Sequence, residues 1–448
     1  MTQTMTPEAI AVAQTIFRSL LRLMPKAKKY AEPAAHSANK LVQYFSMLTF
    51  CLLTRNEKLA FSEYFKEFWN LFHPEMCQSK IQQHLNKQAL LVFWYHACQD
   101  CPENVVHIYR NKEVSQKLPF NYIMVDNDDQ ELVAFNKLTL PAYYGLLRLA
   151  AQQNRLFLRQ LSAHENVEWA FKNIAAHSTI YVNAAEELFL MMEIFAEKPP
   201  PLPPHASSSS LDNHKEEMMR ASTFRKNTLT TFLNSYQKGQ WQTLITVFRI
   251  LVDTDEERLN ACSSNALSRV GQVISFLHEM HHEATACHVM SDLVQAMRIL
   301  NSLLASLKNL LLNGGGADGN PNGNGARRNS NSSASSSLKS SSSGMSSSSR
   351  NASSSSSSTA AASLIRTYIQ QWKDVPEVMR KLLSLLNSYA SHECRQVCMK
   401  VFSGWGKLMV KPIIVFLSTQ YPENLRIHPF VCVFISAVRF GVGHVANS

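Results

Sequence analysis

The chain has 448 residues, 45% of them hydrophobic and 17% charged, with a formal net charge of +10. That length and apolar content allow two or three core-bearing units and exclude a chain disordered throughout. The nine cysteines are irregularly spaced, which excludes a compact disulfide framework and predicts reduced thiols in cytosol or nucleus. No apolar run reaches the ~20 residues of a membrane span, and the opening MTQTMTPEAI lacks the apolar core of a secretory signal.

Residues 1–197 read as an N-terminal helical region. Thr6-Pro7 predicts a cap followed by a first-position proline, with Ile10, Ala13, Phe17, Leu20 and Leu21 on one face. A second helix carries Leu41, Tyr44, Phe45, Leu48 and Leu52. A third carries Phe61, Tyr64, Phe65, Phe68, Trp69 and Phe72. The i, i+3, i+4, i+7 spacing predicts buried helix faces rather than a cofactor box. Further helices are expected near 86–99, 141–151, 166–176 and 184–197, separated by turns such as Asp126-Asn127-Asp128-Asp129.

Residues 198–222 read as a Pro/Ser-rich linker, since KPPPLPPHASSSS favours extended, polar chain. A second helical region covers 223–312, with Trp241, Leu244, Ile245, Phe248 and Leu251 on one face. Residues 313–363 are Gly/Asn- and then Ser-rich, too poor in apolar surface to offset chain entropy, and are expected to be disordered. A C-terminal helical region follows over 364–418, with Leu382, Leu385, Leu386 and Tyr389 as its clearest face; the tail 419–448 is left unassigned. The expected fold class is all-α: stacked helical hairpins of the HEAT or armadillo kind, a degenerate α-solenoid interrupted by disordered linkers.

Few motifs carry chemistry. His278-Glu279-Met280-His281-His282 satisfies H-E-x-x-H, which sets two zinc-binding imidazoles one helical turn apart with Glu as general base. This makes a zinc metalloprotease one alternative reading. Against it, Thr285 occupies the glycine position that would let His288 fold back as third ligand, and no downstream Glu appears until Glu377. Cys98-x-x-Cys101, near His96 and His107, lacks a second cysteine pair at zinc-finger spacing, and Cys394-x-x-x-Cys398 is weaker still. Gly314, Gly316 and Gly319 spell G-x-G-x-x-G, but a helix precedes them and a serine tract follows, the wrong context for a dinucleotide. The acidic runs Asp126–Glu131 and Asp253–Glu257 read as turns and helix starts. Arg22, Lys26, Lys28 and Lys29 form the densest basic cluster, which allows a nucleic-acid-binding alternative, although no aromatic-interleaved basic stripe follows.

Four stretches carry a resemblance: Ala9–Ser46, Gln88–Val105 (QALLVFWYHACQDCPENV), Leu140–Leu149 (LPAYYGLLRL) and Glu283–His288 (EATACH). They resemble the large ubiquitin-specific proteases of the thirty-four/puffyeye type, in the long region C-terminal to the protease domain. The resemblance implies a deubiquitination-related protein, present in nucleus and cytoplasm, with protein partners or ubiquitinated substrates, and ubiquitin itself, as ligands. The family's nucleophile sits in a G-N-T-C box and its base in a G-H-Y box. No cysteine here follows Asn-Thr, and the one Gly-His pair, Gly443-His444, is followed by Val445. The expectation is therefore a non-catalytic scaffold region, with no catalytic, cofactor-binding or metal-ligating residue assigned.

Overall fold

The computed structural model describes residues 6–30, 32–72, 80–110, 125–203, 207–237, 239–283, 287–314, 363–370, 372, 374–387, 393–405 and 408. Among them there is no strand, and no helix is long and apolar enough to cross a membrane. The expectations for the insert 313–363 beyond Gly314 and for the tail 419–448 lie outside the described residues, apart from Ser363. The chain divides into two compact units, Met1–Glu257 and Arg258–Ser448.

The first unit starts with α1 (Pro7–Tyr30) and α2 (Glu32–Phe50). Thr6 caps α1, its hydroxyl accepting from the Ala9 amide at 3.3 Å. Ala13, Phe17 and Leu21 are buried as the spacing predicts. Next come α3 (Arg55–Ala60), a 3-10 turn (Phe61–Tyr64) and α4 (Phe65–Phe72). Here the expected aromatic face forms a core. Phe61 and Phe68 are fully buried, and Phe17 stacks on Phe93 at 5.1 Å between ring centroids. Phe93 belongs to α5 (Lys80–Cys98). Trp69 stacks on Trp94 of the same helix at 5.5 Å.

The second helix departs from expectation. Its apolar stripe, Leu41, Tyr44, Leu48 and Leu52, is 54–68% exposed. The buried side instead carries Asn39, Val42, Gln43, Ser46 and Phe50. The amides point inward because α5 presents amides to meet them. Gln43 Nε2 donates to Gln88 Oε1 at 2.7 Å, and Asn39 Nδ2 to Asn86 Oδ1 at 3.3 Å. Gln88 Nε2 continues the ladder to the Phe135 carbonyl at 3.0 Å. A buried amide so paired avoids the desolvation cost of an unmade bond, and that overrides hydrophobic periodicity.

Then follow α6 (Pro102–Arg110), α7 (Gln130–Gln153), α8 (Arg155–Ser162), α9 (Glu165–Lys172), α10 (Ile174–Ile180) and α11 (Val182–Ala196). Asp129 and Asn154 cap α7 and α8, each side chain accepting from two backbone amides. Consecutive long helices pack in sequence, α1 on α2, α2 on α5, α5 on α7 and α7 on α11, the stacking expected of helical hairpins.

The helix expected from Thr223 begins at Ser208: α12 runs Ser208–Ser235. Its serine-rich start reads as linker by composition, yet Ser207 acts as cap, accepting from the Ser210 amide at 3.3 Å. Arg159 of α8 then holds Glu217 on α12 at 2.5 Å. The unit ends with α13 (Trp241–Leu251), which buries Leu244, Phe248 and Leu251, and with the start of α14 (Asp255–Ser263).

In the second unit α15 (Ala266–Glu283) pairs with α16 (Cys287–Gly314), and α17 (Val375–Asn387) packs on α15. Leu382 and Leu385 are buried; the side chains of Leu386 and Tyr389 lie outside the described residues. Gly271 makes room for the Trp372 indole, whose Nε1 would be 2.8 Å from an added Cβ.

Candidate functional site

The H-E-x-x-H segment lies on α15, and its first two residues are committed to packing. His278 is buried, with Nε2 2.6 Å from the Ser384 hydroxyl on α17. Glu279 Oε1 accepts from Lys381 Nζ at 2.6 Å, and Glu377 takes the same ammonium at 2.8 Å. Burial works against the Lys381 charge, but the two carboxylates outweigh it and raise its pKa. A zinc hydrolase needs the first imidazole aimed at an open ligand position and the glutamate free to move a proton. Here the two side chains tie α15 to α17 instead. The side chains of His282 and His288 lie outside the described residues. Among the described residues no group of three or more His, Cys, Asp or Glu is placed to hold a metal. The metalloprotease alternative thus loses its first ligand and its base to helix packing.

Cys98 and Cys101 are buried, free thiols flanking a tight turn in which Asp100 takes a φ of 57°. Burial pushes both thiols up, Cys98 far above its ordinary value. Cys98 ends α5, and a helix C-terminus disfavours a thiolate, the opposite of a redox-active placement. Burial also lowers the pKa of His96, while His107 faces solvent on α6. Lys58, buried nearby, donates to the Gln99 carbonyl at 2.6 Å and so closes the turn. In the second unit Cys394 and Cys398 are buried one turn apart, the Cys398 sulfur 3.3 Å from Met297 Sδ.

The acidic runs do local work. Asp126 Oδ1 accepts from the Asp128 amide at 3.0 Å, and Asp129 starts α7. Glu257 closes the turn into α14, accepting from the amides of Asp253 at 2.8 Å and Thr254 at 2.9 Å. In the basic cluster Arg22 is exposed, and the side chains of Lys26, Lys28 and Lys29 lie outside the described residues. Gly314 ends α16; Gly316 and Gly319 lie outside the described residues.

Sequence reasoning missed two buried ionic clusters, because their members lie far apart along the chain. In the first, Glu187 on α11 takes Arg148 Nε at 2.6 Å and the Tyr95 hydroxyl at 2.5 Å. Gly145 leaves room for the Tyr95 ring: an added Cβ would overlap Cε2 and lie 2.7 Å from Cδ2. In the second, Arg225 on α12 reaches Glu257 at 3.3 Å and Asp253 at 3.1 Å, and its Nε caps the end of α11 through the Ala196 carbonyl at 2.8 Å. Lys198 adds a second cation to Glu257 at 2.8 Å. Burial alone would raise the Glu257 pKa, but these cations and the two backbone amides outweigh it and hold the carboxyl at about 2. Both clusters join helices. Among the described residues, one cavity of about 440 Å³ lies between α6, α7 and α8, lined by Val105, Val106, Tyr109, Arg110, Leu156 and Phe157 among others, and another of about 340 Å³ is lined by Glu193, Glu197, Arg225 and Arg249 among others.

Similarity to known proteins places this geometry. No family model and no solved structure matches the chain. It is 37% identical over 398 residues to ubiquitin carboxyl-terminal hydrolase 34 of Homo sapiens, covering 89% of this chain and 10% of the relative. The Mus musculus protein of the same name gives the same identity, at 9% of its length. Ubiquitin carboxyl-terminal hydrolase puf of Drosophila melanogaster is 40% identical over 302 residues, 67% of this chain and 7% of the relative. The chain therefore spans about a tenth or less of the curated relatives it matches. By homology it belongs to the ubiquitin carboxyl-terminal hydrolase 34 and puf family, as the counterpart of one region of those long proteins.

Proposed function

We propose that this chain is a non-catalytic helical scaffold of a deubiquitinase-type protein, which holds protein partners or ubiquitinated substrates for a protease domain encoded elsewhere. The observation that carries this reading is the match of 89% of the chain to a tenth of a relative named as a ubiquitin hydrolase. The commitment of His278, Glu279 and the buried cysteine pairs to packing supports it. A stack of helices with engaged polar side chains suits repeated protein contacts better than bond-making chemistry.

The test is incubation of the purified chain with ubiquitin carrying a thiol-reactive group at its C-terminus. The expected result is no covalent adduct. An adduct lost on substitution of a single cysteine would make the chain an enzyme and overturn the proposal. Residence in nucleus and cytoplasm belongs to the same reading, and exclusive localisation of the tagged chain to another compartment would contradict it.

A further inference from the structure

The α1–α2 hairpin carries two apolar stripes that nothing among the described residues covers. Val12, Ile16 and Leu23 on α1 are 47–57% exposed, and Leu41, Tyr44 and Leu48 on α2 are 56–68% exposed. At roughly 100° per residue, each trio falls within about 60° of arc. The α2 trio lies roughly opposite the buried side of that helix. On α1, Arg18 turns toward the 3-10 turn, where its Nε donates to the Tyr64 hydroxyl at 2.5 Å. The α1 trio lies on the other flank, toward α2. Phe45, stacked on Phe17 at 5.2 Å, lies where the two helices meet. The stripes therefore border one groove on the outer side of the hairpin, away from α5.

Scattered exposed leucines are ordinary, but a contiguous apolar patch marks an interaction site. The inward amides of α2 strengthen the case: this helix keeps polar side chains inside and its apolar stripe outside, so core packing does not account for the stripe. The surroundings favour one occupant. The sequence of residues 6–53 has six basic residues (Arg18, Arg22, Lys26, Lys28, Lys29 and Lys40) against two acidic ones, Glu8 and Glu32. Arg18 turns to the other flank and pairs with Glu63, and the side chains of Lys26, Lys28, Lys29 and Glu32 lie outside the described residues. Arg22 and Lys40 are both exposed. A second copy meeting this face through its own would oppose like charges.

We infer that the α1–α2 groove docks an amphipathic helix of a partner protein, with an apolar i, i+3, i+4, i+7 stripe flanked by acidic residues. This deepens the scaffold reading by naming its partner class and place. Helix-in-groove recognition supplies apolar anchors, and complementary charge speeds encounter and sets orientation.

Cys51 provides the reporter. It is the exposed cysteine among the described ones, at the end of α2 next to Leu48, whose carbonyl its thiol meets at 3.0 Å. Two synthetic amphipathic helices with the same leucine stripe, one flanked by Glu and one by Lys, each with a terminal cysteine, are equilibrated with the full chain in redox buffer. The acid-flanked helix is expected to tether to Cys51 about tenfold better than the basic one. Cys51→Ser is expected to abolish the tether. The double variant Leu41→Ser/Leu48→Ser is expected to bring it down to the basic helix's level, with an unchanged thermal melt by circular dichroism. Equal tethering of both helices, or no effect of the double variant, overturns the inference. So does self-association of the chain that the double variant removes, which would assign the groove to a second copy. Capture on anionic vesicles in place of the peptide would assign it to a lipid surface. None of these outcomes touches the scaffold reading, which falls only on a ubiquitin adduct.

Discussion

Arg225 joins α11, α12 and the turn into α14. It is 7% exposed, ends α11 through a carbonyl, and neutralises Glu257. Removing one partner of a buried ion pair strands the other charge, at a cost of about 3–5 kcal/mol. Lys198 and two backbone amides still hold Glu257 when Arg225 is lost, so Arg225→Ala is expected to cost less, about 1–3 kcal/mol, read from urea denaturation; a loss well below about 1 kcal/mol would show that the cluster is hydrated rather than buried. The same cluster gives an acid limit. The ordinary carboxyl value is 4.5 and the folded value about 2. The unfolded chain takes up that proton first, so the contribution is complete above about 4.5 and drains away as pH falls toward 2. His177 acts earlier. Burial beside Tyr144 and Trp169 pushes it down to about 4 from 6.5. The unfolded histidine charges first, so stability is expected to fall by up to about 3 kcal/mol between pH 6.5 and 4. His177→Gln should flatten that part of the pH profile; an unchanged slope would place its origin elsewhere. At Gly145 the limit is steric. Gly145→Ala drives a methyl into the Tyr95 ring and is expected to cost about 1–3 kcal/mol. Tyr95→Ala should weaken that penalty in a double-mutant cycle.

At the scale of elements, α2 separates what was legible from what was not. The aromatic run Phe61–Trp69 announced a buried face, because no alternative placement hides so much aromatic surface. The same periodicity in Leu41, Tyr44 and Leu48 pointed the wrong way. Direction was decided by Gln88 and Asn86, about 45 residues away, whose side-chain oxygens accept from Gln43 and Asn39 when these turn inward. Local pattern gives a helix and its stripe, but not which neighbour the stripe meets. The start of α12 was hidden for a related reason: Ser207–Ser210 suits both a linker and a cap, and the choice rests on Glu217 meeting Arg159. The chemistry-bearing motifs showed the same limit. The spacing of His278 and His282 was plain in sequence, whereas the Ser384 and Lys381 partners of His278 and Glu279 lie about a hundred residues on. This account of α2 makes a paired prediction. Gln43→Ala leaves Gln88 short of a partner and is expected to cost about 1–3 kcal/mol. The more apolar loss, Leu48→Ser, should stay within about 0.5 kcal/mol. Equal urea midpoints for the two variants would contradict the inward placement of the amides.

At the scale of the whole molecule, the chain holds two compact units, each with its own buried aromatics. Trp94 is buried in the first, while Trp372 and Trp405 meet edge to face at 5.3 Å in the second. Separate cores are expected to melt in separate steps, outside a two-state description. A Trp372→Phe/Trp405→Phe variant keeps only the tryptophans of residues 1–257, so its emission should follow one urea transition while far-ultraviolet circular dichroism follows both. Coincident curves from the two signals would show the cores melting together.

The amide ladder between α2 and α5 also bears on synthesis. Gln43 leaves the ribosome 45 residues ahead of Gln88, an interval of roughly 2–9 s at about 5–20 residues per second. For that time the inward side of α2 holds hydrated amides, Asn39 and Gln43, among its apolar Val42 and Phe50. The nascent chain thus keeps part of its future core side wetted, and less open to stray contacts there, until α5 emerges to claim it.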